Sequence, residues 1–275
     1  MSRSASFQAG FTLLVLVLVL AILGVLTMLA TRQISQVQDQ QRFDASQRVL
    51  ETIREAIWGS PDDRAPDGTR IHAGFVADVG RLPDFEHHGI EELWTNTSGM
   101  SVFTLHPGDV DSEVQVSGGW RGPYVRLPWS ATNLLDGWGN VYTSRLAAGV
   151  WQVGHLGADG AEGGTNYDQD VFIDFREENI PAWVWGQVEV DTNLLALGAC
   201  SVRVRVFGPA GGSEEVSGLT LGYPTNVVPW AIENPIPVGL RAVRAYLEGA
   251  ATNRSAIRYV SLRSGTNGPV SLEIH

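Results

Sequence analysis

From Phe11 to Ala30 the chain runs for 20 residues without a charge, and Thr12 and Thr27 are its clearly polar side chains. A helix of that length spans about 30 Å, the thickness of a hydrocarbon core. A core helix of a globular domain would show a polar face, so the pattern predicts a helix in lipid. Beyond Ala30 the pattern turns amphipathic: Ile34, Val37, Val49, Leu50, Ile53 and Ile57 fall on a rough helical stripe, with no Pro or Gly before Gly59. The stretch from Phe11 to Trp58 therefore reads as one helix of about 70 Å. A cleaved secretory signal has a shorter apolar region ending at a small-x-small site and a loop; this run is longer and continues unbroken. A rod that is half membrane and half packing surface points to assembly rather than simple tethering.

Gly59 and Pro61 end the helix, and "GSPDDRAPDGTR" reads as a turn-rich hinge. "IHAGFVADVGRLPDF" and "GIEELWTN" predict short elements laid against the helix. From Pro181 the period becomes two. "VWGQVEVD", "CSVRVRVFG", "GLRAVRAYLEG", "AIRYVSLRSG" and "GPVSLEI" are separated by Gly, Pro and Asn. In "SVRVRVF", Val202, Val204 and Val206 face one way and Arg203 and Arg205 the other. This alternation predicts an antiparallel sandwich, a small immunoglobulin-like or transthyretin-like module. Its edges and the loops around Pro224 to Pro237 are candidate contacts for another subunit or for secreted cargo.

Composition narrows the chemistry. The net charge is −11, and all 19 cationic side chains are arginines. An acidic surface without a basic stripe argues against nucleic acid. The absence of lysine excludes Schiff-base chemistry, pyridoxal-phosphate attachment and a GK[ST] phosphate loop. Cys200 cannot pair internally and reads as a small buried side chain. "HHGIEE" offers His87, His88, Glu91 and Glu92 at metal-ligand spacing, against the plainer reading of a polar surface turn. His72, His106 and His155 have no sequence-defined relation to a Ser or Asp, and no G-x-S-x-G elbow is present. The segment "GVWQVGHLGADG" lacks G-x-G-x-x-G spacing, and no solenoid-period repeat is found.

"QAGFTLLVLVLVLAILGVL" resembles the start of a type IV pilin or type II secretion pseudopilin. The resemblance implies a polar leader ending at Gly10, cleaved by a membrane prepilin peptidase, and Phe11 as the N-methylated new N-terminus. It also implies a cytoplasmic leader, although the arginine count (Arg3 before the helix; Arg32, Arg42 and Arg48 after it) alone favours the reverse orientation. Val15 stands where the family has a glutamate thought to pair with a neighbour's terminal amine. That departure removes a costly buried charge and a docking contact, and leans toward a minor, tip-proximal or divergent subunit.

"GGWRGPYVRLPWSATNLLDGWGNVYTSRL" resembles the body of the major type II secretion pseudopilin, with Trp120, Gly122, Pro123 and Tyr124, then Asp136, Trp138, Gly139, Asn140 and Tyr142. Gly137 and Val141 replace two family prolines. "WQVGHLGADGAEGGTNYDQDVFIDF" is similar to that family's calcium-binding loop. By itself it reads as a solvated acidic turn, and its spacing is not that of an EF-hand. The resemblance implies a structural calcium held by Asp159, Asp168, Asp170 and the Leu156 carbonyl, in keeping with the oxygen donors calcium takes.

The expected architecture is α+β: a long N-terminal transmembrane and amphipathic helix packed on a small antiparallel sheet, then a β-sandwich-like module. The division is a prepilin leader (1–10), the N-terminal helix (11–58, with 11–30 transmembrane), a pseudopilin-like globular domain (59–178) and the sandwich-like module (179–275). The resemblance covers roughly Gly10 to Phe175 and implies a non-enzymatic subunit of a type II secretion pseudopilus. It would be single-pass in a bacterial inner membrane, with its bulk in the periplasm. Its partners would be other pseudopilins or pilins, prepilin peptidase, the inner-membrane assembly platform and the lipid bilayer. The alternatives are a minor type IV pilin used in adhesion or DNA uptake, and a membrane-tethered enzyme or carbohydrate-binding module.

Overall fold

The computed structural model describes residues 6–60, 62, 73–105, 116–195, 201–211, 213–221, 226–248 and 254–275, without the side chains of 6–14, 29–34, 103–105, 195, 210 and 213–221. Cys200, His72, His106 and most of the hinge after Ser60 lie outside these residues, as do the side chains of Phe11 and Ile34.

Helix α1 (Ser6–Trp58) is continuous over 53 residues. No proline interrupts it, and it stops at Gly59, whose left-handed φ of 88° takes the chain out of the helix while its N–H still donates to the Glu55 carbonyl at 2.7 Å. The apolar side chains from Val15 to Met28 are exposed all round. Among the described residues no helix is long and apolar enough to cross a membrane.

The lower half of α1 carries the packing stripe. Leu50, Ile53 and Ile57 are buried and Val49 is partly buried, but Val37 is exposed, so the stripe begins later than its sequence pattern implies. Ser46 is buried on the same face, one turn before Leu50. Full burial of each such aliphatic side chain contributes about 1.5–3 kcal/mol. Helix α2 (Phe75–Val79) lies against this face, burying Phe75, Val76 and Val79.

Strands β1 (Phe103–Leu105) and β2 (Val116–Gly118) form an antiparallel pair. Strands β3 (Thr143–Ala147), β4 (Val150–His155) and β5 (Val171–Phe175) form a three-stranded antiparallel meander beside α1. The C-terminal part is built from two four-stranded sheets. In one, β6 (Pro181–Val190) pairs with β13 (Gly265–Ile274) on one edge and with β9 (Val227–Ala231) and β10 (Ile236–Pro237) on the other. In the second the order is β12 (Ser255–Leu262), β11 (Gly239–Glu248), β7 (Ser201–Ala210), β8 (Ser213–Leu221).

Val202, Val204 and Val206 are buried and share a core with Ala182, Val184 and Val188 of β6. Arg203 and Arg205 point the other way, as the alternation requires. The β6–β13 pair is parallel, so the module is a mixed rather than purely antiparallel assembly. Its β-rich character was legible because one face of each strand is uniformly apolar. The parallel pairing was not, because strand direction leaves no mark on a period-two pattern. Phe207 and Ala242, on the arginine face of the second sheet, pack against Val116 of β2. The module is therefore seated on the N-terminal half through that face.

A candidate helix and loop junction

The second pseudopilin-like motif, Asp136 to Tyr142, and the acidic segment meet at one junction between α1, the 136–140 turn and the 156–170 loop. The turn forms because the Asp136 carboxylate accepts two backbone N–H bonds, from Trp138 at 2.9 Å and Asn140 at 2.7 Å. An aspartate closing its own turn in this way is local side-chain chemistry. Gly137 then meets the helix. Its N–H donates to Ser46 Oγ at 2.9 Å, and Ser46 Oγ donates to the Arg42 carbonyl at 2.9 Å. A Cβ at position 137 would lie 2.2 Å from the Arg42 carbonyl oxygen, so any side chain there would drive the turn off the helix. Tyr142 Oη donates to the Ser46 carbonyl at 2.8 Å. Gly137 thus supplies both the N–H donor and the close approach.

The turn also holds the acidic loop. Asn140 Nδ2 donates to the Gly157 carbonyl at 3.0 Å. His155, at the end of β4, is buried and accepts from the Gly157 N–H at 3.3 Å through Nδ1, which leaves its proton on Nε2. It is ringed by Phe43 at 6.3 Å, Trp138 at 6.1 Å and Tyr142 at 6.0 Å between ring centroids. Burial pushes its imidazole below the usual histidine value, with Asp136 and Asp170 pulling the other way. His155 is thus a neutral core group. Tyr167 Oη donates to Gln40 Oε1 at 3.0 Å across a groove of about 640 Å³ lined by Gln36, Asp39, Gln40, Phe43, Asn166 and Tyr167.

The metal candidates are placed unevenly. Asp170 Oδ2 accepts from the Gly163 N–H at 3.1 Å, while Asp170 Oδ1 is buried without a hydrogen-bond partner among the described residues. The main chain of Asp168 is clasped by Gly157 and Gly164: a Cβ at either glycine would come within 2.5 Å and 2.3 Å of the Asp168 carbonyl oxygen. Asp159 is exposed and accepts from the Ala161 N–H at 3.1 Å. Among the described residues, no three His, Cys, Asp or Glu side chains converge as a metal cluster. Any cation here would draw on main-chain oxygens.

The first motif, Trp120 to Tyr124, serves a second anchor. Trp120 Nε1 donates to the Glu92 carbonyl at 2.7 Å, and Tyr124 Oη donates to Asp78 Oδ2 at 3.1 Å. Burial raises the Asp78 carboxyl, with Arg121 opposing, and burial together with the Asp78 charge raises the Tyr124 phenol.

Two sequence readings are corrected here. Glu92 belongs to no surface turn: its side chain is fully buried and its carboxylate accepts from Arg81 at 2.7 and 2.9 Å, from the Asp84 N–H at 2.8 Å and from Ser98. Held by Arg81, Glu92 is not available to pair with His88, while His87 is exposed and bonds Asp84. Ser46 was missed; a small polar residue at position 46, in step with Leu50, Ile53 and Ile57, was the available signal.

The chain is similar to a type II secretion system core protein G from Xanthomonas campestris pv. campestris, 25% identical over 173 residues that cover 62% of this chain and 92% of that protein. No family model matches the chain.

Proposed function

We propose that the chain is a structural pseudopilin-type subunit of a type II secretion system, working by assembly rather than catalysis. The observation that carries this reading is the shape of α1: one unbroken 53-residue helix whose apolar side chains from Val15 to Met28 are exposed all round and whose lower half packs the folded body. An apolar surface facing outward on every side suits lipid or the helices of neighbouring subunits. The similarity to a type II secretion core protein supports the same reading.

In this account the leader ends at Gly10, Phe11 becomes the methylated N-terminus, and residues 11–30 sit in the inner membrane with the body in the periplasm. Partners are other pseudopilins or pilins, prepilin peptidase and the inner-membrane assembly platform. Val15 favours one second reading, a minor pilin-type subunit, because the family's registering carboxylate is absent at that position. Mass spectrometry of the native protein tests the proposal. A chain beginning with methylated Phe11 is expected; a chain beginning at Met1 overturns it.

The loop 156–170 is proposed to hold calcium. The buried oxygen of Asp170 and main-chain oxygens such as the Leu156 carbonyl are hard donors on a glycine-rich turn, which is the donor chemistry calcium takes; Asp159 and Asp168 do not converge with Asp170 in this structure and would have to close on the ion. Bound there, the ion would neutralise the acidic loop and stiffen it. The chain's own residues do the rest: Asn140 fixes the loop to the turn, and Ser46 fixes the turn to the helix.

A further inference from the structure

We infer that the outer face of the β6 sheet is a binding platform for a neutral polysaccharide chain, a property independent of whether the subunit assembles into a filament. Trp183 and Trp185 lie two residues apart on β6, so their indoles emerge on the same face about 6.6 Å apart along the strand. They are 40% and 43% exposed, whereas the alternating Ala182, Val184 and Gly186 are buried. Soluble surfaces rarely present adjacent half-exposed indoles without a use for them.

The face is built to hold these rings. Across from Trp185, β9 contributes Ala231, and beyond it Pro229 and Val227; across from Trp183, β13 contributes Thr266. The register of β13 shifts between Asn267 and Val270, opposite Trp185. Gly268 in that bulge has φ 142°, and a Cβ there would lie 3.0 Å from Trp185 Nε1. The indole therefore rests over a position that only glycine leaves open. Asn267 pins the bulge, donating to the Arg263 carbonyl at 2.7 Å and the Gly265 carbonyl at 2.9 Å.

Area and charge decide the occupant. A tryptophan offers at most about 250 Å², so the exposed parts of the pair amount to about 200 Å². A stable protein interface needs about 800 Å² from each side, so the pair is small for a second copy or a protein partner and suits a narrow, flat ligand. The polar groups in register on this face are Thr266, Gln187 and Ser271, then Glu189 opposite Glu273. They supply hydroxyl, amide and carboxylate partners for sugar hydroxyls. The two carboxylates disfavour an anionic chain. Stacking on C–H-rich sugar faces plus hydroxyl recognition suits a neutral glycan. The orientation is favourable: the second sheet is the one docked on β2, through Phe207 and Ala242, which leaves the tryptophan face turned away from that contact.

The test uses the full-length chain in a detergent without a sugar headgroup. Cellohexaose and chitohexaose are titrated by calorimetry, and cellulose and chitin are used in pelleting assays, with polygalacturonate as the anionic comparison. At least one neutral glycan is expected to bind. W183A and W185A each weaken it about tenfold and the double variant abolishes it. W129A, which removes an indole 98% exposed elsewhere, leaves binding unchanged. The W183F/W185F variant keeps flat rings; with a melting profile matching wild type it is expected to retain most of the binding, which separates stacking from folding. The proposal is overturned if no neutral glycan binds, if the tryptophan variants bind like wild type, if polygalacturonate binds more tightly, or if W183A/W185A instead abolishes self-association in sedimentation.

Discussion

Ser46 on α1 accepts the Gly137 N–H at 2.9 Å, and through that one hydroxyl the helix holds the turn that in turn holds the acidic loop. The hydroxyl is buried and donates onward to the Arg42 carbonyl. Ser46→Ala leaves a partly buried backbone N–H without its acceptor, and is expected to cost about 1 kcal/mol. Gly137→Ala should cost more, because its Cβ meets backbone rather than a movable side chain. Chemical denaturation of the two variants in detergent gives the order; equal stability to wild type in either would contradict the docking described.

This joint shows what was and was not readable beforehand. The helix was legible because twenty uncharged residues and an unbroken non-proline run admit few other structures. Strands β6, β7, β11, β12 and β13 were legible from alternation, whereas β8, β9 and β10 were not. Asp136, Gly137 and Asn140 were marked by motif, but their targets were not: hydrogen bonds between Gly137 and Ser46, and between Asn140 and Gly157, span 91 and 17 residues. Glu92 was misjudged for the same reason, since its partner Arg81 and its burial come from tertiary packing. Strand β9 was missed because "VVPWA" contains a proline, which the fold tolerates because β9, paired only with β6 among the described strands, is an edge strand.

Glu92 makes stability pH-dependent. Burial raises its carboxyl, but hydrogen bonds from Arg81, Ser98 and the Asp84 N–H outweigh that and hold it below its ordinary value. A carboxyl depressed in the folded state contributes stability that is fully present above about pH 4.3, the unfolded value, and is lost as pH falls through the folded value. Glu92→Gln should flatten this acid limb in melts taken from pH 6 downward. Glu92→Ala leaves Arg81 without its partner, and about 3 kcal/mol is expected, toward the low end for a broken buried pair because Arg81 keeps some solvent contact. An acid limb unchanged in Glu92→Gln would assign it to other carboxylates.

Arg241 couples the two halves of the chain. It is buried on β11 and donates to the Ala77 carbonyl of α2 at 3.1 Å, to Pro237 at 2.9 Å, to Leu240 at 2.8 Å and to Val238. Arg241→Met keeps much of the bulk but removes the donors from these carbonyls. The expected result is faster proteolysis in the segment from Arg176 to Ile180 that leads into β6, and an earlier melting phase for the C-terminal sheets. Arg241→Lys, with one ammonium in place of the planar fork, should recover only part of the protection. Unchanged cleavage in Arg241→Met would mean that the apolar contacts between the halves, Val116 with Phe207 among them, hold them together without Arg241.

The proposed calcium loop makes distinguishable demands on its aspartates. If the buried free oxygen of Asp170 is a ligand, calcium at about 100 times its dissociation constant adds about 2.7 kcal/mol. That is a rise in melting temperature of about 5–10 °C for a domain of this size. Asp170→Asn should remove most of the rise, because it replaces a buried charged donor. Asp159→Asn should remove less, because Asp159 is exposed and already accepts the Ala161 N–H. Asn140→Ala should leave a smaller rise with a lower starting temperature, since it frees the loop from the turn without touching a proposed donor. Magnesium at the same concentration is the control, as it dehydrates reluctantly and fits an irregular loop poorly. A melt insensitive to calcium and to chelator would leave the acidic loop a turn held by Gly163, Asp170 and Asn140 alone.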